Sequence, residues 1–182
     1  MKKLDVSFYH LGDVTAIARA LIGKVIVTRW DGVTTAGRIV ETEAYRGETD
    51  RASHAWGGRR TRRTEIMYGP GGHAYVYLCY GIHHLANVVT HDKGIPHAVL
   101  LRAMEPLEGI TEMVKRTGKP AGSPSLGAGP GNLSRALGIH TRHSGHFLRS
   151  LDFFLAEDGS GYADGEILAT PRIGVDYAGA DA

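Results

Sequence analysis

The residues best suited to chemistry lie in the run Val40-Glu41-Thr42-Glu43-Ala44-Tyr45. It reads as a β-strand, and alternate residues of a strand share a face, so Ile39, Glu41, Glu43 and Tyr45 are expected to point one way. Two carboxylates two residues apart on a strand stand about 6.6–6.8 Å from each other, a spacing like that of the paired acids that hydrolyse glycosidic bonds. A carboxylate beside aromatic surface is also a candidate general base. The plain alternative is an exposed polar face, which is what a strand with two glutamates normally presents.

The tyrosines favour the chemical reading. Five of the eight (Tyr45, Tyr68, Tyr75, Tyr77 and Tyr80) fall within 36 residues. In His73–Gly81 the strand period puts Tyr75, Tyr77 and Cys79 on one face. Tyr80 has the other parity and precedes Gly81, at the point where the strand must turn. A ring at a hairpin tip is badly placed for a core and well placed to wedge between stacked bases. Tyr45 and Tyr77, on separate strands, suit the two walls of a slot for a flat ring, whereas Tyr68 and Tyr75 are expected to be ordinary core. Between the two strands, Arg51, Arg59, Arg60, Arg62 and Arg63 lie in a stretch with no acid. A solvated basic loop would have this composition, and so would a surface that tracks phosphates.

Other patterns carry less. His83, His84, His91 and His97 lack the HExxH spacing and cysteine partners of a metal site. His140, His143 and His146 drift around a helix instead of sharing a face. Gly127-Ala128-Gly129-Pro130-Gly131 lacks the Lys-Ser/Thr of a phosphate loop and is expected to be a turn. A single cysteine, Cys79, excludes an intramolecular disulfide, a cysteine-rich zinc site and a cysteine-ligated iron–sulfur cluster. No metal and no cofactor is expected.

The elements that must position these residues can be read from periodicity. A helix is expected over Val14–Ile22, N-capped by Asp13, and Asp31-Gly32 joins the strands Lys24–Trp30 and Val33–Tyr45 as a hairpin. Gly47–Gly72 is a long loop. Strands follow at His73–Tyr80, Leu85–Thr90 and Ala98–Met104, the last ended by Pro106. A helix is expected over Leu107–Thr117, a short one over Asn132–Leu137, and late strands at Leu151–Ala156 and Glu166–Val175. Strands meet mostly as hairpins, which predicts an α+β fold: one domain with a curved, mostly antiparallel sheet and a few flanking helices.

The chain of 182 residues, 42% hydrophobic and 22% charged, has globular composition and the length of one domain. The N-terminal run MKKLDVSFYH lacks the apolar core of a signal peptide, and no apolar run reaches membrane-spanning length, so an intracellular protein, cytoplasmic or nucleoid-associated, is expected. The formal net charge of +2 conceals a partition: residues 150–182 hold seven acids and one base, leaving 20 bases and 12 acids in residues 1–149. Such asymmetry suggests a polyanionic ligand, with the acidic end turned away from it.

The run Gly37–Pro106 resembles the alkyladenine (3-methyladenine, or methylpurine) DNA glycosylase family. The resemblance is carried by Gly37–Tyr45, by His54 with Gly57-Gly58-Arg59, by Tyr75-Val76-Tyr77 and Tyr80-Gly81, by Asn87-Val88, by Leu100-Leu101-Arg102-Ala103 and by Glu105–Gly109. Weaker matches at Ala18–Gly23, Gly129-Pro130-Gly131 with Leu133, and Arg172–Val175 extend it over nearly the whole chain. It implies a single glycosylase domain over residues 1–182, with a C-terminal segment shorter than usual. Arg62 stands where relatives usually carry proline, and Asn132 replaces a common lysine.

That resemblance also implies roles. Glu43 would activate the water that attacks the deoxyribose anomeric carbon, and Arg102 and the backbone carbonyl of Ile173 would help hold it. Tyr45, His54 and Tyr77 would enclose the flipped base, and Asn87 would discriminate against guanine. Tyr80 would fill the gap left in the duplex, with Ile82 and Arg59 also on the DNA. The implied partner is double-stranded DNA containing damaged purines, and the implied protein is a monomer. Two other readings of the residues stand beside this one: a glycosidase or nucleosidase using Glu41 and Glu43 as a pair, and a non-catalytic module that binds distorted DNA.

Overall fold

Two tight turns and three shifts of register within one pair of neighbouring strands shape the sheet that carries these residues. The computed structural model describes all 182 residues, Met1–Ala182. Seven strands, β1 (Lys2–Lys3), β2 (Val25–Trp30), β3 (Val33–Tyr45), β4 (Ala74–Cys79), β5 (His83–Thr90), β6 (His97–Glu108) and β7 (Phe153–Glu157), form one open sheet in the order β1-β7-β2-β3-β6-β5-β4. Every pairing is antiparallel. Three helices, α1 (Val14–Leu21), α2 (Ile110–Thr117) and α3 (Pro130–Ala136), and several 3₁₀ turns flank it, so the fold is α+β as expected. No helix is long and apolar enough to cross a membrane.

The β2–β3 hairpin closes through Asp31 and Gly32, both at positive φ (53° and 79°), the backbone that lets a two-residue turn follow the strand twist. The main core lies on one face of the sheet. Val14, Ile17, Ala18 and Leu21 of α1 supply it at helical spacing, together with Ile26, Ile39, Val88, Val99 and Leu101 from the strands. Full burial of each large aliphatic side chain contributes about 1.5–3 kcal/mol. Asp13 caps α1 by accepting the Ala16 N–H at 2.9 Å, and Thr42 donates its hydroxyl to the Ala18 carbonyl at 2.9 Å, pinning the helix to β3. The opposite face of β4, β5 and β6 carries a second cluster with Tyr75, Val89 and Ala98, covered by Ala55, Met67 and Tyr68 from the loop after β3.

Three expectations are corrected. Ile39 does not share the face of Glu41 and Glu43: it pairs with Met104, Glu41 pairs with Ala103, and Val40 is the extra residue between them. This bulge reverses the parity, so Ile39 enters the main core while Glu41 and Glu43 turn to the other face. Pro106 does not end its strand. It lies opposite Gly37 at another shift of register, where a missing N–H is tolerated, and β6 runs on to Glu108, with α2 starting at Ile110 instead of Leu107. Glu166–Val175 is not a strand. A 3₁₀ turn covers Asp164–Glu166, and the N–H of Ile173 is spent on a side chain, the Glu43 carboxylate, not on a ladder.

Gly127 secures the β6 side of this arrangement. Met104 donates its N–H to the Gly127 carbonyl at 3.0 Å, and a Cβ at position 127 would stand 2.1 Å from the Met104 carbonyl oxygen. Gly127→Ala is expected to cost about 1–3 kcal/mol of unfolding free energy through this overpacking. Gly161→Ala, where a Cβ meets nothing within 4 Å, is expected to be near neutral. Urea unfolding of the two variants measures the difference.

Candidate active site

One row of paired residues crosses four strands and sets the site. Glu43 of β3 pairs with Leu100 of β6, Leu100 with Asn87 of β5, and Asn87 with Tyr75 of β4. Paired residues share a face, so all four lie on the face opposite the main core. Tyr45 and Tyr77 lie two residues along β3 and β4 from this row and share its face. The sequence alternation is therefore sound from Glu41 to Tyr45, although it fails one residue earlier.

A second bulge aims the arginine. Glu41 pairs with Ala103 and Thr42 with Leu101, leaving Arg102 as the extra residue of β6. From there Arg102 Nε donates to Glu41 Oε1 at 2.9 Å, and Nη1 lies 3.3 Å from Glu43 Oε1. The Glu43 side chain is almost fully enclosed, with the residue 6% exposed. Its oxygens are satisfied: Tyr45 donates its hydroxyl to Oε2 at 2.8 Å, and Ile173 donates its N–H to Oε1 at 2.8 Å. An unpaired buried carboxylate would be expelled or neutralised. Here an aromatic hydroxyl, a guanidinium and a peptide N–H, from three separate parts of the chain, hold it in one orientation. Ile173 thus reaches the carboxylate through its N–H; its side chain is 60% exposed.

The aromatic residues gather beside this carboxylate. His54 lies edge-on to Tyr77 with ring centres 4.6 Å apart, and its Nδ1 is 2.7 Å from the Tyr75 hydroxyl. Burial lowers the His54 pKa to about 4, with Arg63 and Arg59 adding to the effect, so the ring is neutral near pH 7. Burial also lifts the Tyr75 hydroxyl to about 12 and the Tyr45 and Tyr77 hydroxyls well above the usual phenol range. For Tyr45 the adjacent Glu43 charge adds to the rise. Asn87 donates its Nδ2 hydrogens to the carbonyls of Tyr75 (3.0 Å) and Leu85 (3.3 Å), which fixes its amide orientation.

Tyr80 and Ile82 form the tip of the β4–β5 hairpin, 92% and 71% exposed. Tyr80 and Gly81 have φ of 51° and 75°, and Ile82 donates its N–H to the Cys79 carbonyl at 3.1 Å. Left-handed backbone is rare and costly for a large side chain, so the turn holds an exposed aromatic at a conformational cost. Arg59 lies exposed in the loop between β3 and β4, while Arg60 is tied to Glu65 at 2.6 Å.

Two further findings alter the sequence picture. A cavity of about 880 Å³ opens between α1, the end of β3 and residues 166–173; Glu41 and Glu43 line it, but Tyr45, His54 and Tyr77 do not. The acidic C-terminal residues do not all turn away from the site. Glu157 and Asp158 pair with Lys24 and Arg38 beside β7, at the edge of the sheet far from Tyr80. Glu166 and Asp181, however, line the cavity beside Glu43, because the segment folds back over β3. Tyr75, expected to be plain core, is buried and also holds His54. Asp50 and the partner role of Arg172 escaped sequence reasoning, since 122 residues separate the pair. Of the histidines outside the site, His143 is buried and stacks on Trp30 at 4.1 Å, whereas His10, His83 and His140 are exposed.

Comparison with known proteins adds an independent line. A family profile described as methylpurine-DNA glycosylase (MPG) matches residues 7–182. A Bacillus cytotoxicus protein named "Putative 3-methyladenine DNA glycosylase" is 45% identical over 184 residues, covering 97% of this chain and 90% of its own. Proteins of the same name from Bacillus cereus strain G9842 (45% identical, 94% of this chain and 87% of theirs) and Shouchella clausii (44% identical, 98% and 87%) are similar over the same extent.

The His54 environment gives a direct test. Its ring carbon and nitrogen shifts, followed by NMR, are expected to titrate with a midpoint near 4. A midpoint near the ordinary value of about 6.5 would refute the buried, neutral histidine.

Proposed function

The chain belongs to the methylpurine-DNA glycosylase family, and on that premise we propose that it flips alkylated or deaminated purines from duplex DNA and hydrolyses their N-glycosidic bond. The observation that carries this reading is the Glu43 carboxylate, enclosed and held by Tyr45, Arg102 and the Ile173 N–H beside the aromatic rings. Water attacks the anomeric carbon, its proton passes to Glu43, and the electrons of the breaking C–N bond leave with the base. A free purine and an abasic site result. A purine alkylated at a ring nitrogen is already cationic and leaves as the neutral base, whereas a deaminated purine leaves as an anion that takes a proton from water; in both, one carboxylate activates water and steadies the developing positive charge on the sugar.

The surroundings support this chemistry. Extrusion of a nucleotide costs a few kcal/mol, least for a damaged, poorly paired base, and stacking of about 1–3 kcal/mol per ring offsets it. Tyr45, His54 and Tyr77 are the proposed walls, with Asn87 as the group that discriminates against guanine. A neutral His54 adds no positive charge beside a cationic base. Arg102 and the Ile173 peptide are proposed to order the attacking water around Glu43. Tyr80 is proposed to enter the gap in the duplex, with Ile82 and Arg59 on the DNA and the enzyme acting as a monomer. Glu41 is held by Arg102 at 2.9 Å, which favours a supporting role over that of a second catalyst. None of the six lysines falls among the site residues, so hydrolysis without strand cleavage is the proposed outcome.

Lesion-bearing duplexes assayed for alkali-labile sites test the reading. Glu43→Gln is expected to slow base release by about 10²–10⁴-fold, the usual contribution of a general base, while DNA binding persists. Full activity of that variant would refute the assignment, and specific binding with no abasic product from the wild type would favour a binding module. Tyr80→Ala is expected to weaken binding to lesion duplex by about 1–3 kcal/mol, measured by fluorescence anisotropy.

A further inference from the structure

The segment that brings Ile173 to the carboxylate has little of its own to hold it. Residues 168–174 are exposed apart from Arg172 and form neither helix nor strand. Arg172 is the anchor. Its Nη1 and Nη2 bind the two oxygens of Asp50 at 2.6 and 2.9 Å, an enclosed bidentate pair. Nη1 also donates to the Ala44 carbonyl at 2.9 Å, Nη2 donates to the Asp181 carbonyl, and the guanidinium lies 4.7 Å from the centre of the Tyr45 ring. Asp50 is fixed in turn, accepting the N–H groups of Arg46 (3.0 Å) and Ala52 (2.9 Å). One guanidinium therefore grips the peptide just after Glu43 and the ring that donates to Glu43. The residue that follows it delivers the N–H that meets Oε1.

We propose that Arg172, locked by Asp50, is a positioning residue for the Glu43 carboxylate: it holds the Ile173 N–H and the Tyr45 ring so that both carboxylate oxygens are directed before substrate arrives. The inference rests on the glycosylase reading of Glu43. With its charge balanced by Asp50 and its four Nη hydrogens committed, Arg172 is not a phosphate ligand, and its loss acts on the chemical step instead of on DNA affinity. Misplacement by about 1 Å costs on the order of 100-fold in rate, and that is the effect expected here.

The test compares wild type, Arg172→Ala, Asp50→Asn and Glu43→Gln. Single-turnover release of 3-methyladenine from methylated duplex gives the rate, and binding to a duplex with an abasic-site analogue gives the affinity. Circular dichroism confirms folding, and the near-isosteric Asp50→Asn carries the test if Arg172→Ala does not fold. The expected result is a rate about 100-fold lower in both clamp variants, with affinity unchanged. Free guanidinium is expected to restore rate to Arg172→Ala and not to Glu43→Gln. A folded clamp variant with wild-type rate would overturn the proposal, as would a rate loss matched by an equal loss of affinity, or no rescue by guanidinium. A wild type that releases no base would instead overturn the glycosylase reading, and a fully active Glu43→Gln would overturn the role of Glu43 within it.

Discussion

The structure is organised around the cost of keeping one carboxylate inside an aromatic wall. A charge removed from water is tolerable only where hydrogen bonds and an opposite charge replace its hydration. Glu43 meets that requirement with partners from its own strand, from β6 and from the C-terminal segment. None of these is accidental to the fold. The Arg102 bulge turns a guanidinium toward the carboxylate, the Val40 bulge reverses the face on which Glu41 and Glu43 emerge, and the 163–182 segment abandons the ladder to supply a peptide N–H. Bulges break pairing and cost stability, and they recur where a side chain must be re-aimed.

The same constraint explains the distribution of charge. Arg102 bridges two glutamates, Asp50 balances Arg172, and His54 is kept neutral by burial. On the loop beside His54, Arg60 is paired with Glu65, whereas Arg59, Arg62 and Arg63 lie exposed. Exposed cations are the ones free to meet phosphates, and their attraction is long-ranged and screened by salt. Acidic groups near the carboxylate, such as Asp181, which accepts the Arg51 N–H at 3.2 Å, serve short-range order instead. A split of the chain into a basic part and an acidic end describes the totals but not these roles.

Much of this was legible in the sequence. The Asp31-Gly32 turn, the α1 stripe and the β3–β4–β5 strands follow from periodicity and turn chemistry, as does the shared face of Glu43 and Tyr45; Asn87 comes only from the family resemblance, and its place in the same row depends on pairing through Leu100 of β6. What escaped has a common cause. Bulges at Val40 and Arg102 depend on how two strands are paired, which strict alternation along one strand does not record. Pro106 signals the end of a strand unless its register is known. Residues 166–175 have the apolar content of a strand, yet the Ile173 N–H is claimed by Glu43 and Arg172 by Asp50. Contacts between residues more than a hundred positions apart leave no local pattern.

The β4–β5 tip shows the other side of the same economy. A globular chain gains nothing by exposing a tyrosine at 92% and an isoleucine at 71%, and less by holding that tyrosine at a φ of 51° where glycine or asparagine is at ease. Buried groups at the site are held by several bonds each, while these two side chains are held by the turn alone. The turn accounts for the backbone of Tyr80, but its exposed ring gains nothing from the folded chain. A partner with stacked, separable rings suits that ring better than water does, because stacking buries both faces of the tyrosine at once. The carboxylate is thus held on both oxygens within the folded chain, whereas the side chains at the tip are left unpacked by it.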